Sequence, residues 1–200
     1  LCFTGSYGVG RMIQEQALDR PELLVALEMG GKNTVVVLDD ADLRQAAHEI
    51  VVGGLLTTGQ RCTATDRVLV QEGVAKALCD ALIPMVQSIQ FGDPESDASF
   101  AGPMATKEGK RRYQEAIAAA RLAGAELLAH GGTSGASEAH DYYQEATLHL
   151  APKNLHHMDG YTNIELFGPD IGIEIVADEE EAIDVLRASP YGFANSVFTA

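Results

Sequence analysis

Basic residues are scarce in this sequence: 14 lysines and arginines stand against 29 acidic residues, for a formal net charge of −15. A surface of that sign repels phosphate backbones and anionic lipid headgroups. Long apolar runs are absent too, since none approaches the roughly 20 residues that a membrane-spanning helix needs. We therefore expect no nucleic-acid partner and no membrane partner.

Cysteine is also rare. Cys2, Cys62 and Cys79 are odd in number and show no C-x-x-C spacing, so the sequence indicates neither a disulfide framework nor a zinc site. A reducing, cytoplasmic setting is the predicted one. The single histidine pair, His156 and His157, has no cysteine or carboxylate at ligand spacing, and we predict no metal site.

What the chain does contain is a regular alternation of apolar strands and amphipathic helices. Strands are predicted at residues 1–4 (buried), 23–27, 35–38, 67–70, 125–129, 171–176 and 195–199, and residues 130–135 are predicted to form a surface loop. Helices with a 3.6-residue period separate most of them, and the acidic cluster at residues 39–42 is predicted to cap one. The alternation predicts an α/β fold with a doubly wound sheet. Because the chain starts and stops in a predicted strand, we expect a piece of a longer protein.

The first strand leads into a glycine-rich turn. Gly5, Gly8 and Gly10 precede a predicted helix, where backbone N–H groups and the helix dipole can hold an anion such as a pyrophosphate. The spacing does not match G-x-G-x-x-G, so a plain strand-to-helix turn is the alternative interpretation.

Cys62 follows an apolar helix and a Gly-Gln-Arg turn. A thiol is a nucleophile only as the thiolate, and we expect the neighbouring Arg61 and nearby backbone N–H groups to favour that form. The alternative is an ordinary buried cysteine. No histidine has a recognisable pairing with Cys62, which argues against a Cys-His hydrolase.

Glu28 ends a predicted apolar strand just before Gly30 and Gly31. A lone carboxylate in such a place is costly unless it has a partner or a role. Burial raises the pKa of a carboxyl group, which is how a glutamate becomes a general base near neutral pH. The alternative is a salt bridge from Glu28 to Lys32 or to an arginine.

Four segments together resemble the signature stretches of the NAD(P)-dependent aldehyde dehydrogenase superfamily, in the same order and at similar spacing. They are residues 3–6 (FTGS), 27–32 (LEMGGK), 59–63 (GQRCT) and 165–169 (ELFGP). The resemblance covers essentially the whole chain. The motif sequences most resemble those of the succinylglutamate-semialdehyde dehydrogenases within this superfamily, and next those of aminoadipate-semialdehyde dehydrogenases.

The resemblance implies a role for each of these segments. Cys62 attacks an aldehyde to form a thiohemiacetal and then a thioester, and Glu28 activates the water that hydrolyses the thioester. Gly5 and Ser6 face the pyrophosphate of NAD or NADP. Glu165 holds the nicotinamide ribose, with Phe167 beside the nicotinamide ring.

The resemblance also implies a domain division. Residues 1–29 are the C-terminal end of a Rossmann-type NAD(P)-binding domain, and residues 30–200 are an incomplete catalytic domain. A second oxyanion donor and the adenosine-ribose residues are expected before Leu1. The full-length enzyme is expected to be a homo-oligomer that oxidises an amino-acid-derived semialdehyde.

Two other functions stay open from the sequence. The first is an acylating dehydrogenase in which coenzyme A, rather than water, takes the acyl group. The second is a domain fragment that folds but does not turn over.

Overall fold

A computed structural model describes residues 1–134, 142–152 and 160–200. The strands are β1 (Cys2–Gly5), β2 (Ala26–Met29), β3 (Thr34–Val37), β4 (Arg67–Gln71), β5 (Gln90–Phe91), β6 (Glu126–His130), β7 (Gly132–Thr133), β8 (Thr147–Leu150), β9 (Asp170–Val176) and β10 (Asn195–Phe198). The helices are α1 (Tyr7–Ala17), α2 (Leu43–Leu55), α3 (Glu72–Ser88), α4 (Lys107–Leu122) and α5 (Glu179–Ala188). The histidine pair His156 and His157 lies outside the described residues.

Six strands form the main sheet, in the order β10-β3-β4-β9-β8-β6. All neighbours in it run parallel except β6, which pairs antiparallel with β8 at one edge. The strands at the centre are buried on both faces, as expected for parallel strands covered by helices. The predicted α/β fold is confirmed.

Side chains of one strand alternate between two hydrophobic layers. Val35 and Val37 of β3 belong to the large cluster that also contains the buried faces of α2 and α3. Val36 points to the opposite face, where it shares a cluster with Ala182 and Val185 of α5. This two-residue period places helices on both faces of the sheet, which is the doubly wound arrangement predicted from the sequence.

The predicted helix cap after β3 is confirmed. Asp42 is the N-cap of α2, and its carboxylate accepts hydrogen bonds from the backbone N–H groups of Arg44 and Gln45. These contacts satisfy two of the amide groups that a helix leaves unpaired at its N-terminus. The carboxylate therefore has a structural role without any cation.

β1 and β2 form a separate two-stranded parallel sheet, with Thr4 opposite Glu28. The prediction that the first strand is buried is wrong for the described chain, because β1 is exposed apart from the half-buried Phe3. A sheet of two strands with one helix against it buries little surface.

Two boundaries also differ from prediction. β2 runs from Ala26 to Met29, so it begins three residues later than predicted and continues one residue past Glu28. The predicted loop at residues 130–135 begins inside β6 and contains β7, which pairs with β5, while its residue 135 lies outside the described residues. None of the helices in the described part of the chain is long and apolar enough to cross a membrane.

Candidate active site

One cavity of about 840 Å³ collects segments that are far apart in the sequence. Its walls come from residues 4–6, 28–30, 60–63, 164–167 and one face of the segment 105–116. Every residue predicted from the sequence for the site lines it: Gly5, Ser6, Glu28, Cys62, Glu165 and Phe167. The fold therefore brings the predicted thiol and carboxylates to one place with Gly5 and Ser6. Gly8 and Gly10, predicted to precede the helix, lie within α1 instead.

Cys62 is half-buried and follows an unusual turn. α2 ends at Leu55, and the chain continues into a 3-10 turn in which Thr57, Thr58 and Gly59 have φ values of 62°, 57° and 68°. Left-handed backbone is unfavourable for β-branched residues. The hydroxyl of Thr58 compensates in part by donating a hydrogen bond of 2.7 Å to the carbonyl of Gly102. The turn redirects the chain from the helix into the cavity.

Gly59 brings the Cys62 loop against the segment that carries Glu165. A Cβ atom at Gly59 would overlap the backbone carbonyl of Gly168, and the φ of +68° disfavours any other residue. Gly168 in turn lies against the ring of Tyr113, leaving no room for a side chain there. The glycines of both motifs are thus required by close packing between them.

Asn33 holds the Cys62 loop from the other side. Its Nδ2 donates hydrogen bonds to the carbonyl oxygens of Cys62, at 2.7 Å, and Ala64, at 2.9 Å. Its Oδ1 accepts a bond of 3.2 Å from the backbone N–H of Ala194. The side chain is buried. Asn33 comes directly after the LEMGGK segment, but its contacts depend on residues distant in sequence, and the sequence reasoning missed it.

Arg61 connects the Cys62 loop to the end of α2. Its guanidinium donates hydrogen bonds to the carbonyl oxygens of Gly53, at 2.9 Å, and Val52, at 3.4 Å. These carbonyls belong to the last turn of α2, where a cation complements the helix dipole. Arg61 therefore ties the loop to the helix, and its effect on the Cys62 thiol stays a prediction.

Glu28 is exposed in the described chain. The predicted burial of its carboxyl is therefore wrong for the described chain. The alternative of a salt bridge to Lys32 is wrong as well, since the Lys32 ammonium pairs with Asp66 at 2.8 Å. The parallel register puts Glu28 beside Thr4, next to Gly5 and Ser6.

Ser6 begins helix α1 as its N-cap, and its side chain makes no capping hydrogen bond. Ser6 is exposed and lines the cavity. Helix N-termini favour anions. The start of α1 therefore suits an anion such as a pyrophosphate.

Glu165 is half-buried and accepts a hydrogen bond from the backbone N–H of Gly31. Burial raises the pKa of this carboxyl above its usual value, and the Gly31 amide opposes part of that effect. A Cβ atom at Gly30 would overlap the carboxylate. Phe167, two residues on, has a φ of 49° and is 44% exposed at the cavity wall.

The N-terminal part of α4 forms another wall. Gln60 Oε1 accepts a hydrogen bond of 2.8 Å from the amide of Ala105, just before the helix. The basic triplet at residues 110–112 lies on this helix. Arg111 pairs with Glu108 and Glu115, whereas Arg112, whose side chain is 71% exposed, also lines the cavity. Arg112 is a site residue that charge composition alone did not reveal.

Metal chemistry has no visible basis in the described ranges, because no group of three or more His, Cys, Asp and Glu residues there is arranged to hold an ion. Histidine is also absent from the residues that line the cavity. The described residues that line the cavity offer a thiol, two carboxylates, two arginines and a helix N-terminus for chemistry.

The family model of the aldehyde dehydrogenase family matches residues 1–200. The chain belongs to the aldehyde dehydrogenase family.

Individual relatives agree with this assignment. The α-ketoglutaric semialdehyde dehydrogenase of Bacillus subtilis is 35% identical over 98% of this chain and 40% of its own length. The NAD(+) benzaldehyde dehydrogenase of Pseudomonas putida is 37% identical over 100% of this chain and 39% of its own. Among solved structures, betaine aldehyde dehydrogenase from Staphylococcus aureus in complex with NAD+ is 30% identical, with a TM-score of 0.90 over 99% of this chain and 39% of that one. This chain thus spans about 40% of the length of the relatives it matches.

Proposed function

We propose that this chain supplies the thiol and the hydrolytic carboxylate of an enzyme that oxidises an aldehyde to a carboxylic acid with NAD or NADP. The observation that carries the proposal is the single cavity that joins Cys62 and Glu28 to the predicted cofactor residues. These groups come from separate motifs, and one shared cavity is what a common reaction requires.

Cys62 is the nucleophile in this scheme. Its sulfur adds to the aldehyde carbon, and the backbone N–H of Cys62 stabilises the oxyanion that forms. Asn33 fixes the carbonyl of the same residue at 2.7 Å, which restricts the orientation of the backbone around the sulfur. Gly5, Ser6, Glu165 and Phe167 would hold a nicotinamide dinucleotide, and when bound it would supply the acceptor for the hydride that the thiohemiacetal on Cys62 loses as it becomes a thioester.

Glu28 then acts as the general base. As an exposed carboxylate at the cavity wall it has access to water, and it removes a proton from the water molecule that attacks the thioester. The acid is released and the thiol is restored. This hydrolytic step is what separates the proposal from an acylating enzyme, in which coenzyme A would take the acyl group.

The residues present fit a nicotinamide dinucleotide. Gly5 and Ser6 stand at the uncapped N-terminus of α1, which suits a pyrophosphate. Glu165 is a half-buried carboxylate held by Gly31, which suits a pair of ribose hydroxyls. Phe167 is exposed beside it, as a surface for the nicotinamide ring.

We propose an amino-acid-derived semialdehyde as the substrate. The amino-acid sequences of the motifs favour a semialdehyde. One relative is named for a semialdehyde and another for benzaldehyde. A comparison of kcat/KM for a carboxylate-bearing semialdehyde and for benzaldehyde separates the two substrates. A preference for benzaldehyde of tenfold or more would overturn the assignment, since tenfold is about 1.4 kcal/mol of selectivity.

The domain division follows from the same proposal. Residues 1–29 are the end of the cofactor domain and residues 30–200 the catalytic domain. In support, β1 and β2 form their own sheet rather than joining the six-stranded one. We also propose that the complete enzyme is a cytoplasmic homo-oligomer; all three cysteines are free thiols. Light scattering on the enzyme would show its subunit number.

The direct test is aldehyde-dependent reduction of NAD+ or NADP+ followed at the absorbance of the reduced nicotinamide. Cys62→Ala should abolish turnover, whereas Cys79→Ala, in α3 outside the cavity, should retain it. Unchanged turnover in Cys62→Ala would overturn the proposal. Assays with and without coenzyme A identify the acyl acceptor.

The same assay on the 200-residue chain tests the remaining alternative. The chain spans about 40% of the length of its relatives, and this favours an inactive fragment. Reduction of the nicotinamide by this chain alone would exclude that alternative.

A further inference from the structure

Asp66 lies beneath the cavity, four residues after Cys62, and is 8% exposed. Its backbone is fixed on the main sheet, because its N–H donates to the carbonyl of Asn33 and its carbonyl accepts from the N–H of Gly172. The carboxylate thus extends from a rigid position at the start of β4. Such a position suits a residue that holds a neighbouring loop.

The two carboxylate oxygens of Asp66 have different partners. Oδ1 accepts a bond of 2.8 Å from the buried ammonium of Lys32, and Oδ2 accepts a bond of 3.2 Å from the backbone N–H of Leu166. Lys32 is 4% exposed. Its ammonium also lies 5.2 Å from the centre of the Tyr161 ring. Asp66 therefore joins the glycine segment of residues 30–32 to the loop of residues 164–167.

These contacts close a ring around Glu165. The Glu165 carboxylate accepts from the Gly31 amide, and the next amide along the chain, that of Leu166, is held by Asp66. Asp66 is in turn held by Lys32, the neighbour of Gly31. Lys32 is followed by Asn33, which holds the carbonyl of Cys62. The neighbouring residues Lys32 and Asn33 thus hold the two loops: Lys32 holds the Glu165 loop through Asp66, and Asn33 holds the Cys62 loop directly.

We propose that Asp66 is a positioning residue that sets the place of Glu165 relative to Cys62, through the Leu166 amide and Lys32. The inference rests on the proposed function in so far as Glu165 binds the cofactor. Asp66 touches no reacting atom in this scheme. Its loss is expected to weaken cofactor binding rather than the attack of the thiol on the aldehyde.

The alternative is that Asp66 and Lys32 form a buried ion pair that only stabilises the fold. Double substitutions of this pair distinguish the positioning role from the purely structural one. Asp66→Leu with Lys32→Met removes both charges and leaves no acceptor for the Leu166 amide. Asp66→Asn with Lys32→Gln also removes both charges but keeps an acceptor in place. Replacing both partners avoids a buried unpaired charge, so both double variants are expected to fold.

Hydrogen exchange of the Leu166 amide is the first measurement, and it needs no catalysis. The apolar pair should raise its exchange rate about tenfold or more, since a hydrogen bond to a charged group is lost. The polar pair should retain protection. Unchanged exchange in the apolar pair would overturn the inference.

The second measurement is the Michaelis constant in the active enzyme that contains this chain. The apolar pair should raise the KM for the cofactor about tenfold and leave the KM for the aldehyde within about twofold. The polar pair should restore the cofactor KM. A parallel rise in both constants, or none in either, would identify Asp66 as a structural residue only.

Two controls complete the design. Lys76 and Asp80 form an exposed pair on α3, with side chains 88% and 60% exposed, and Lys76→Met with Asp80→Leu should change neither measurement. If the apolar pair fails to fold, Asp66→Glu is the substitute, since it keeps a charge for Lys32 while displacing the oxygen that holds the Leu166 amide. Asp66→Glu should likewise raise the exchange rate of the Leu166 amide and the KM for the cofactor. If the unaltered enzyme reduces no nicotinamide, the proposed function fails, whereas the exchange of Leu166 still shows whether Asp66 holds the loop that carries Glu165.

Discussion

At the scale of single residues, the site depends on a thiol held at its backbone rather than at its sulfur. The carbonyl of Cys62 is held by Asn33, and the guanidinium of Arg61 is held by the end of α2. Both contacts restrict the loop while leaving the sulfur at the wall of the cavity. A nucleophile needs this combination of fixed backbone and accessible side chain.

Glu28→Gln tests the base. The amide keeps the size of the side chain but cannot accept a proton from water, so the thioester should form and then persist. We expect a burst of about one reduced nicotinamide per thiol, followed by a steady rate lower by about 10²–10⁴-fold. Rapid-mixing absorbance measures both phases. Steady turnover at the parent rate would show that Glu28 is not the base.

Glu165 carries a pH prediction. Its pKa is raised by burial, so the carboxylate begins to take up a proton at a higher pH than an ordinary glutamate does. The protonated form loses acceptor capacity for ribose hydroxyls, and the KM for the cofactor should therefore rise as pH falls through the raised pKa.

Glu165→Gln is the matched control for that profile. The glutamine does not titrate, so the KM for the cofactor should be higher by about tenfold at neutral pH and independent of pH in the acidic range. A pH profile that is the same in both proteins would show that another group is responsible.

At the scale of elements, the turn between α2 and Cys62 determines where the thiol lies. Three successive left-handed residues, Thr57, Thr58 and Gly59, reverse the direction of the chain. Two of them are threonines, for which this backbone costs roughly 1–2 kcal/mol each. The bond from Thr58 to Gly102 and the close approach of Gly59 to Gly168 hold the turn.

Gly59→Ala should therefore destabilise the fold by about 2 kcal/mol or more, since it combines a positive φ with a clash against Gly168. Urea denaturation measures that loss, and the alkylation rate of Cys62 by iodoacetamide should change with it. Gly73→Ala is the control. Gly73 lies in α3 with open space around it, and alanine there should be neutral or stabilise by up to about 1 kcal/mol.

At the scale of the whole molecule, a buried ion pair joins the central strands of the main sheet. Arg67 of β4 donates two hydrogen bonds to the carboxylate of Glu174 on β9, at 2.6 and 2.8 Å. Both side chains are at most 3% exposed. A pair of this kind is costly to break, because either partner alone leaves a buried charge.

Glu174→Gln should lower the free energy of unfolding by about 3–5 kcal/mol, whereas Arg67→Met with Glu174→Leu should be near neutral. Denaturant unfolding measures both. Asp80→Asn, in the exposed pair on α3, should change stability by less than about 1 kcal/mol. A small effect in Glu174→Gln would show that the remaining charge reaches water.

Local pattern was sufficient for most of the architecture. On α3, Leu78, Leu82 and Val86 recur at a four-residue spacing, as expected for one face of a helix, and all three side chains are fully buried. The cap at Asp42 and the apolar run of β3 follow from residue type and alternation. Helical and strand periods are properties of neighbouring residues, so a sequence expresses them directly.

Local sequence pattern could not predict which charged side chains are buried or which residues pair with each other. Glu28 has the sequence surroundings of a buried carboxylate, but in the described part of this 200-residue chain it is exposed on β2, which pairs with β1. Lys32 pairs with Asp66 rather than Glu28, and Arg112 reaches the cavity from a helix that looks uniformly solvated. Each outcome depends on which distant segment packs nearby.

The residues that carry the chemistry were thus identifiable from four motifs, since a thiol, a carboxylate and a glycine turn are recognisable by type and order. The residues that hold these groups in place could not be identified from the motifs. Asn33, Asp66 and Thr58 act through side-chain hydrogen bonds to backbone groups far away in the chain, and such bonds exist only once the sheet has brought those segments together.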